Sequence, residues 1–142
     1  ADKSERLIKT MAILCGVDIV EIDRIKKSID TLGDSFKNRV FTQNEIAYCE
    51  SKKATKFQSY AARFAAKEAV SKAFGTGICE SLSWKDIEVS NDPKGRPYII
   101  YSDKINAMLS SLGGGNISLS LSHSDSYAVA YVVIETKTSN CN

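Results

Sequence analysis

Two periods of apolar and polar residues divide this chain into helices and strands. From Met11 to Val20 the run is mostly apolar and reads as a strand. Ile13, Cys15, Val17 and Ile19 share one face, and Leu14, Gly16, Asp18 and Val20 the other. Glu21 to Leu32 switches to helical spacing, with Ile22, Ile25 and Ile29 on one side and Gly33 as the stop. Phe36 to Phe41 reads as a short helical turn. Thr42-Gln43-Asn44-Glu45 is a capping-box pattern that starts a helix near Gln43, running to about Lys53. An alanine-rich helix follows from about Thr55 to Phe74, ended by Gly75 or Gly77. Trp84 to Ser90 and Arg96 to Tyr101 read as strands of a hairpin around the turn Asn91-Asp92-Pro93-Lys94-Gly95. Ser102 to Leu112 reads as a helix. Ile117 to His123 and Tyr127 to Ile134 read as two closing strands joined by Ser124-Asp125-Ser126. No repeat or linker interrupts this order, so the pattern predicts one α+β domain over residues 11–136.

Composition narrows the picture. The 142 residues suffice for a single core. A net charge of +2 argues against a nucleic-acid binder driven by bulk charge. No apolar stretch has the length of a membrane span; the longest, Tyr127 to Ile134, suits a buried strand. Cys15, Cys49, Cys79 and Cys141 are scattered without a CxxC pair, which argues against zinc and for a reducing compartment, and Cys15 reads as a small core residue. Residues 1–10 read as an N-terminal extension, a tag remnant or a trimmed targeting segment, and residues 137–142 as a polar tail.

Two acids stand where the pattern disfavours them. Asp18 interrupts the first strand, and Glu68 sits in the alanine-rich helix. An ionised carboxylate in an apolar setting is costly unless a cation or several donors meet it. Each has a purely structural explanation. Asp18 can bond backbone amides or a core arginine, and Glu68 can form an i,i+4 pair with Lys72, worth only ~0.3–0.5 kcal/mol. Together, ringed by Arg63, Lys67 and Lys72, they point instead to a hard divalent cation beside a phosphate-bearing ligand, because Mg²⁺ combines one or two carboxylates with water and phosphate oxygens. On the same helix Ala62, Ala66, Ala69 and Ala73 form a small-residue packing face, leaving Arg63, Lys67, Glu68 and Lys72 on the remaining surface. Phe64 within that sector implies that a ligand or a second chain covers it. His123, the single histidine, is either a satisfied core residue or a group at a strand end within reach of a ligand. The segment Asn91 to Pro97 is either a plain hairpin turn or a source of amides and cations for a nucleotide. Walker A, GxGxxG and GxSxG patterns are all missing from the sequence.

Four segments, in order, resemble the holo-[acyl-carrier-protein] synthases: Gly16-Val17-Asp18-Ile19-Val20-Glu21-Ile22-Asp23-Arg24-Ile25, Arg63 to Ala73, Asn91 to Pro97, and Ser120-Leu121-Ser122-His123-Ser124. The resemblance implies a 4′-phosphopantetheinyl transferase fold, with an antiparallel sheet packed on the central alanine-rich helix. It implies transfer of the phosphopantetheine arm of coenzyme A to a serine of apo-acyl carrier protein, releasing adenosine 3′,5′-bisphosphate. By the same resemblance Asp18 and Glu68 hold Mg²⁺ and Lys72 lies at the diphosphate. Arg63, His123 and the Gly95-Arg96-Pro97 turn hold the nucleotide and its phosphates. Arg24 and Lys27 face the acidic carrier protein, although Ser28 and Asp30 dilute that basic surface. It further implies a homotrimer with sites at subunit interfaces, acting in the cytoplasm, or in an organelle stroma if residues 1–10 are a trimmed targeting segment. Glu68, Asp18 or a water on the cation takes the serine proton. Two other readings stand beside this one: a non-catalytic carrier-protein or nucleotide-binding module, and a Mg²⁺-dependent hydrolase of nucleotide diphosphates.

Overall fold

A glycine facing a helix sets the architecture. The computed structural model describes residues 9–139. Its first strand, β1 (Lys9–Glu21), lies against the long helix α4 (Lys56–Phe74). A Cβ on Gly16 would stand 2.1 Å from the Ala69 carbonyl oxygen and 2.8 Å from the Ala73 amide nitrogen. Only glycine allows this approach, and the alanine face predicted for the helix completes it: Ala62, Ala66, Ala69 and Ala73 are all buried.

Between β1 and α4 run three helices, α1 (Ile22–Leu32), α2 (Asp34–Val40) and α3 (Gln43–Ser51). α1 buries Ile22, Ile25 and Ile29, as its spacing predicts. The capping box forms at α3: Glu45 N–H donates to Thr42 Oγ1 at 3.3 Å, and Thr42 N–H to Glu45 Oε1 at 3.0 Å. After α4 come β2 (Ile87–Asn91), β3 (Pro97–Tyr101), α5 (Asp103–Ser111), β4 (Gly115–His123) and β5 (Tyr127–Ser139). β2 and β3 form the expected hairpin, while β1, β5 and β4 make an antiparallel sheet in that spatial order. α4 packs on the inner face of this sheet.

The structure departs from the sequence pattern at several points. Residues 84–86 form a 3₁₀ turn and not the start of a strand, because Asp86 Oδ2 accepts from both the backbone N–H and the hydroxyl of Ser83 and bends the chain. β1 and β5 pair beyond their predicted ends, with Lys9 opposite Ser139 and Met11 opposite Lys137, so part of each assigned flank belongs to the sheet. β-branched Thr136 suits that extension. Residues 1–8 of the assigned extension and 140–142 of the assigned tail lie outside the described residues. Cys15 is exposed, not a core residue. Both faces of β1 are apolar, but α4 covers only the face carrying Leu14, Gly16, Asp18 and Val20. Lys67 is buried and not on the helix surface. Its ammonium donates to Glu45 Oε1 at 2.7 Å, to the Trp84 carbonyl at 2.9 Å and to the Ile87 carbonyl.

Candidate active site

Asp18 lies on the covered face of β1, its side chain 15 % exposed. Lys72, near the C-terminal end of α4, donates from Nζ to Asp18 Oδ1 at 2.9 Å and to the Val17 carbonyl at 3.1 Å. Glu68 precedes Lys72 by one helical turn and is half-buried. The Glu68–Lys72 pair that helical spacing allows is absent among the described residues, because the ammonium goes to Asp18. Desolvation pushes the Glu68 carboxyl above the usual carboxylate range, and the negative charge of Asp18 pushes it further, opposed by Lys72 and by Arg24 of α1. The Asp18 charge therefore reaches Glu68, with Lys72 and Arg24 acting against it. Two neighbouring carboxylates, one of them desolvated, suit a divalent cation. Among the described residues no cluster of three or more His, Cys, Asp or Glu side chains exists. An ion here would take two protein carboxylates and complete its shell with water and ligand oxygens, as Mg²⁺ does.

A second group of predicted residues lines a cleft of about 300 Å³ between α3, α4, the hairpin and the end of β4. Arg63, Gly95, Pro97 and His123 all contribute to it, together with Tyr48 and Asn91. Arg63 is only 3 % exposed, and no carboxylate pairs with it among the described residues. Its Nη2 donates to Asn91 Oδ1 at 2.7 Å, its guanidinium carbon stands 3.9 Å from the Tyr48 ring centroid, and its Nε has no hydrogen-bond partner. A buried guanidinium without a counter-ion is costly to maintain, and this one is aimed into a cleft of ligand size. The turn is held by Asn91 Nδ2 donating to the Gly95 carbonyl at 3.0 Å. Asp92 Oδ1 accepts from Lys94 N–H at 2.9 Å and Arg96 N–H at 2.8 Å. Arg96 itself is exposed and does not line the cleft. His123 is exposed at the strand end, so it is not a core histidine.

These two groups sit on different sides of α4. Arg63 and Lys72 are nine residues apart, which at 100° per residue places them about 180° apart around the helix. The sequence reading that ringed the acids with Arg63, Lys67 and Lys72 is corrected on this point: only Lys72 stays with them. Arg24 and Lys27 line a further cleft of about 430 Å³ with Ile19, Val20, Glu21 and Tyr127, beside the acid pair. Phe64, expected under a ligand or a second chain, stacks on Trp84 of its own chain with centroids 4.8 Å apart. Sequence reasoning missed Tyr48, a lone aromatic without a period to mark it, and the role of Asn91, which reads as a turn former until its contact with Arg63 is seen.

Comparison with known proteins identifies the family. The family model described as the 4′-phosphopantetheinyl transferase superfamily matches residues 14–132. The holo-[acyl-carrier-protein] synthase of Ruminiclostridium cellulolyticum is 57% identical over 124 residues, covering 87% of this chain and 92% of that protein. The crystal structure of the Bacillus anthracis synthase in complex with CoA (3′,5′-ADP) is 40% identical, with a TM-score of 0.74, covering 90% of this chain and all (100%) of the other. That of the Helicobacter pylori synthase in complex with coenzyme A is 36% identical, with a TM-score of 0.75, covering 85% of this chain and 99% of the other. A buried, unpaired arginine at a ligand-sized cleft, a pair of acids across the helix and these likenesses lead to one assignment: the chain belongs to the 4′-phosphopantetheinyl transferase superfamily, among the holo-[acyl-carrier-protein] synthases, which transfer phosphopantetheine from coenzyme A to apo-acyl carrier protein.

Proposed function

We propose that this chain performs the transfer with Mg²⁺ held by Asp18 and Glu68, at a site completed between subunits of a homotrimer. The observation that carries the proposal is the separation of the acid pair from the Arg63 cleft by the width of α4. One extended ligand bridges both groups readily if the acids of one subunit meet the cleft of the next. An apolar outer sheet face supports such assembly: Met11, Ile13, Val17, Ile19, Tyr127 and Tyr131 are each between 46 and 66 % exposed in the single chain. Free thiols at Cys15, Cys49 and Cys79 fit a reducing cytoplasm.

Phosphoryl-type transfer asks mainly for alignment and for neutralising charge on oxygens. When bound, Mg²⁺ offsets charge on the coenzyme A diphosphate and favours in-line attack. Lys72 is half-exposed at the acid pair, and its flexible ammonium reaches from Asp18 to a phosphate oxygen. Arg63 and His123, with the Gly95–Pro97 turn, hold the nucleotide end; the exposed Arg96 contributes from the rim. Arg24 and Lys27 present positive charge to the acidic carrier protein beside the reacting atoms. The test is intact-mass spectrometry of an apo-acyl carrier protein after incubation with coenzyme A, Mg²⁺ and this protein. The carrier should gain one phosphopantetheine arm with the wild type and none with Asp18→Ala. Equal transfer by that variant at limiting Mg²⁺ would defeat the metal assignment, and binding of coenzyme A without any mass gain would leave a non-catalytic module.

A further inference from the structure

Arg63 carries its charge in a place where water scarcely reaches, and the group beneath it is the ring of Tyr48. The guanidinium carbon lies 3.9 Å from the ring centroid, the distance of a stacked cation–π contact, and Lys52 places its ammonium 4.8 Å from the same centroid. Asn91 holds one end of the guanidinium through Nη2, and Nε has no partner. A guanidinium tethered through Nε to its own stem and bonded at Nη2 to Asn91 still tilts about the line between those points unless its plane is supported, and the Tyr48 face supplies the support. Tyr48 also lines the cleft itself, so the ring both orients the arginine and bounds the space that the anion enters.

We propose that Tyr48 is a positioning residue for nucleotide phosphate binding, acting through Arg63 by holding its guanidinium flat against the ring so that the part of it lining the cleft meets the phosphate. This rests on the reading of the cleft as the nucleotide end of the coenzyme A site. A flat ring under the fork matters more to a planar, bidentate anion contact than to a point charge. The phenol hydroxyl takes no part, so Tyr48→Phe keeps the function and Tyr48→Leu, which keeps apolar bulk without a π face, loses it.

The experiment is calorimetric titration of the full chain with adenosine 3′,5′-bisphosphate, paired with kcat and KM for coenzyme A and a thermal melt of each variant. Tyr48→Leu should weaken bisphosphate binding roughly 2- to 30-fold, the range of one such contact. It should raise KM for coenzyme A with kcat little changed, while Tyr48→Phe matches the wild type. Combined with Arg63→Met, Tyr48→Leu should add almost nothing, because the ring acts only through the arginine. Lys52→Met should bind as the wild type does. Additive losses in the double variant, a Lys52→Met loss equal to that of Tyr48→Leu, or unchanged binding in Tyr48→Leu would each overturn the role of Tyr48 while leaving the nucleotide site in place. Failure of the wild type to bind the bisphosphate would remove the nucleotide reading and the Tyr48 role with it.

Discussion

Glu68 shows how a single residue is set against the stability of the protein that carries it. Its carboxyl is raised first by desolvation and then by Asp18. The folded chain therefore binds this proton more tightly than the unfolded chain does. Stability then falls as pH rises from the ordinary carboxylate range through the raised value, above which the ionised Glu68 works against folding. Glu68→Gln removes the charge and keeps the shape. The metal-free variant should melt above the wild type at pH 7 and transfer no phosphopantetheine. Added Mg²⁺ should raise the melting temperature of the wild type and barely move that of the variant. A Glu68→Gln protein that melts lower than the wild type in chelator would show that the acid is a structural partner and not a ligand awaiting a cation. Asp18 and Glu68 stand out in the sequence as candidates because an acid amid apolar or alanine-rich neighbours breaks a pattern. Lys67 was not legible. A lysine beside a glutamate on a helix reads as solvated surface, and only the fold brings Glu45, 22 residues away, to its ammonium.

That buried pair acts at the scale of elements. Glu45 accepts from Lys67 of α4 through Oε1 and from Val89 N–H of β2, at 3.1 Å, through Oε2, while Lys67 also takes two carbonyls from the segment leading into β2. One ion pair thus ties α3, α4 and the hairpin that carries Asn91, and so fixes the wall of the Arg63 cleft. Lys67→Met strands a fully buried carboxylate and should cost about 3–5 kcal/mol in urea unfolding. Glu45→Met combined with Lys67→Met should recover much of that loss; a double variant as unstable as the single one would mean that the lost carbonyl and amide contacts dominate. A more exposed junction behaves differently. Lys37 and then Tyr60, both bonded to Glu50, hold its carboxyl down at about 2 against an ordinary 4.5. The unfolded chain takes up this proton first as pH falls, so the contribution is complete above about 4.5 and fades toward 2. Unfolding followed across that window should show the wild type losing its advantage over Glu50→Gln as acid is added. The capping box, the hairpin turn and the length of α4 were all readable from local chemistry. The orientation of β1 was not, because its two faces are alike in apolarity, and the covered one is settled by where Gly16 lets α4 approach.

The whole molecule poses the question that a single chain leaves open, because its acid pair and its Arg63 cleft lie on opposite sides of one helix. A cyclic assembly through a head-to-tail interface repeats the same junction at every subunit boundary, so that each site draws one half from each neighbour. Such sites permit complementation between damaged chains. Asp18→Ala loses the acid half and retains the cleft; Arg63→Met loses the cleft anchor and retains the acids. Each homogeneous variant should be nearly inactive. Mixed by co-expression at equal ratio, half of the acid pairs and half of the clefts are sound, and they meet independently, so about a quarter of wild-type transfer should return. Native mass spectrometry of the mixture should show trimers containing both chains. If each site is instead built within one chain, no chain in the mixture holds both intact halves and the activity stays at the level of the separate variants. Val17→Lys on the exposed face of β1 gives the matching control. It places a charge in the middle of the apolar outer face, next to Asp18 in sequence but on the opposite face of the strand, and should yield monomers in which Asp18 and Arg63 are intact but transfer is lost.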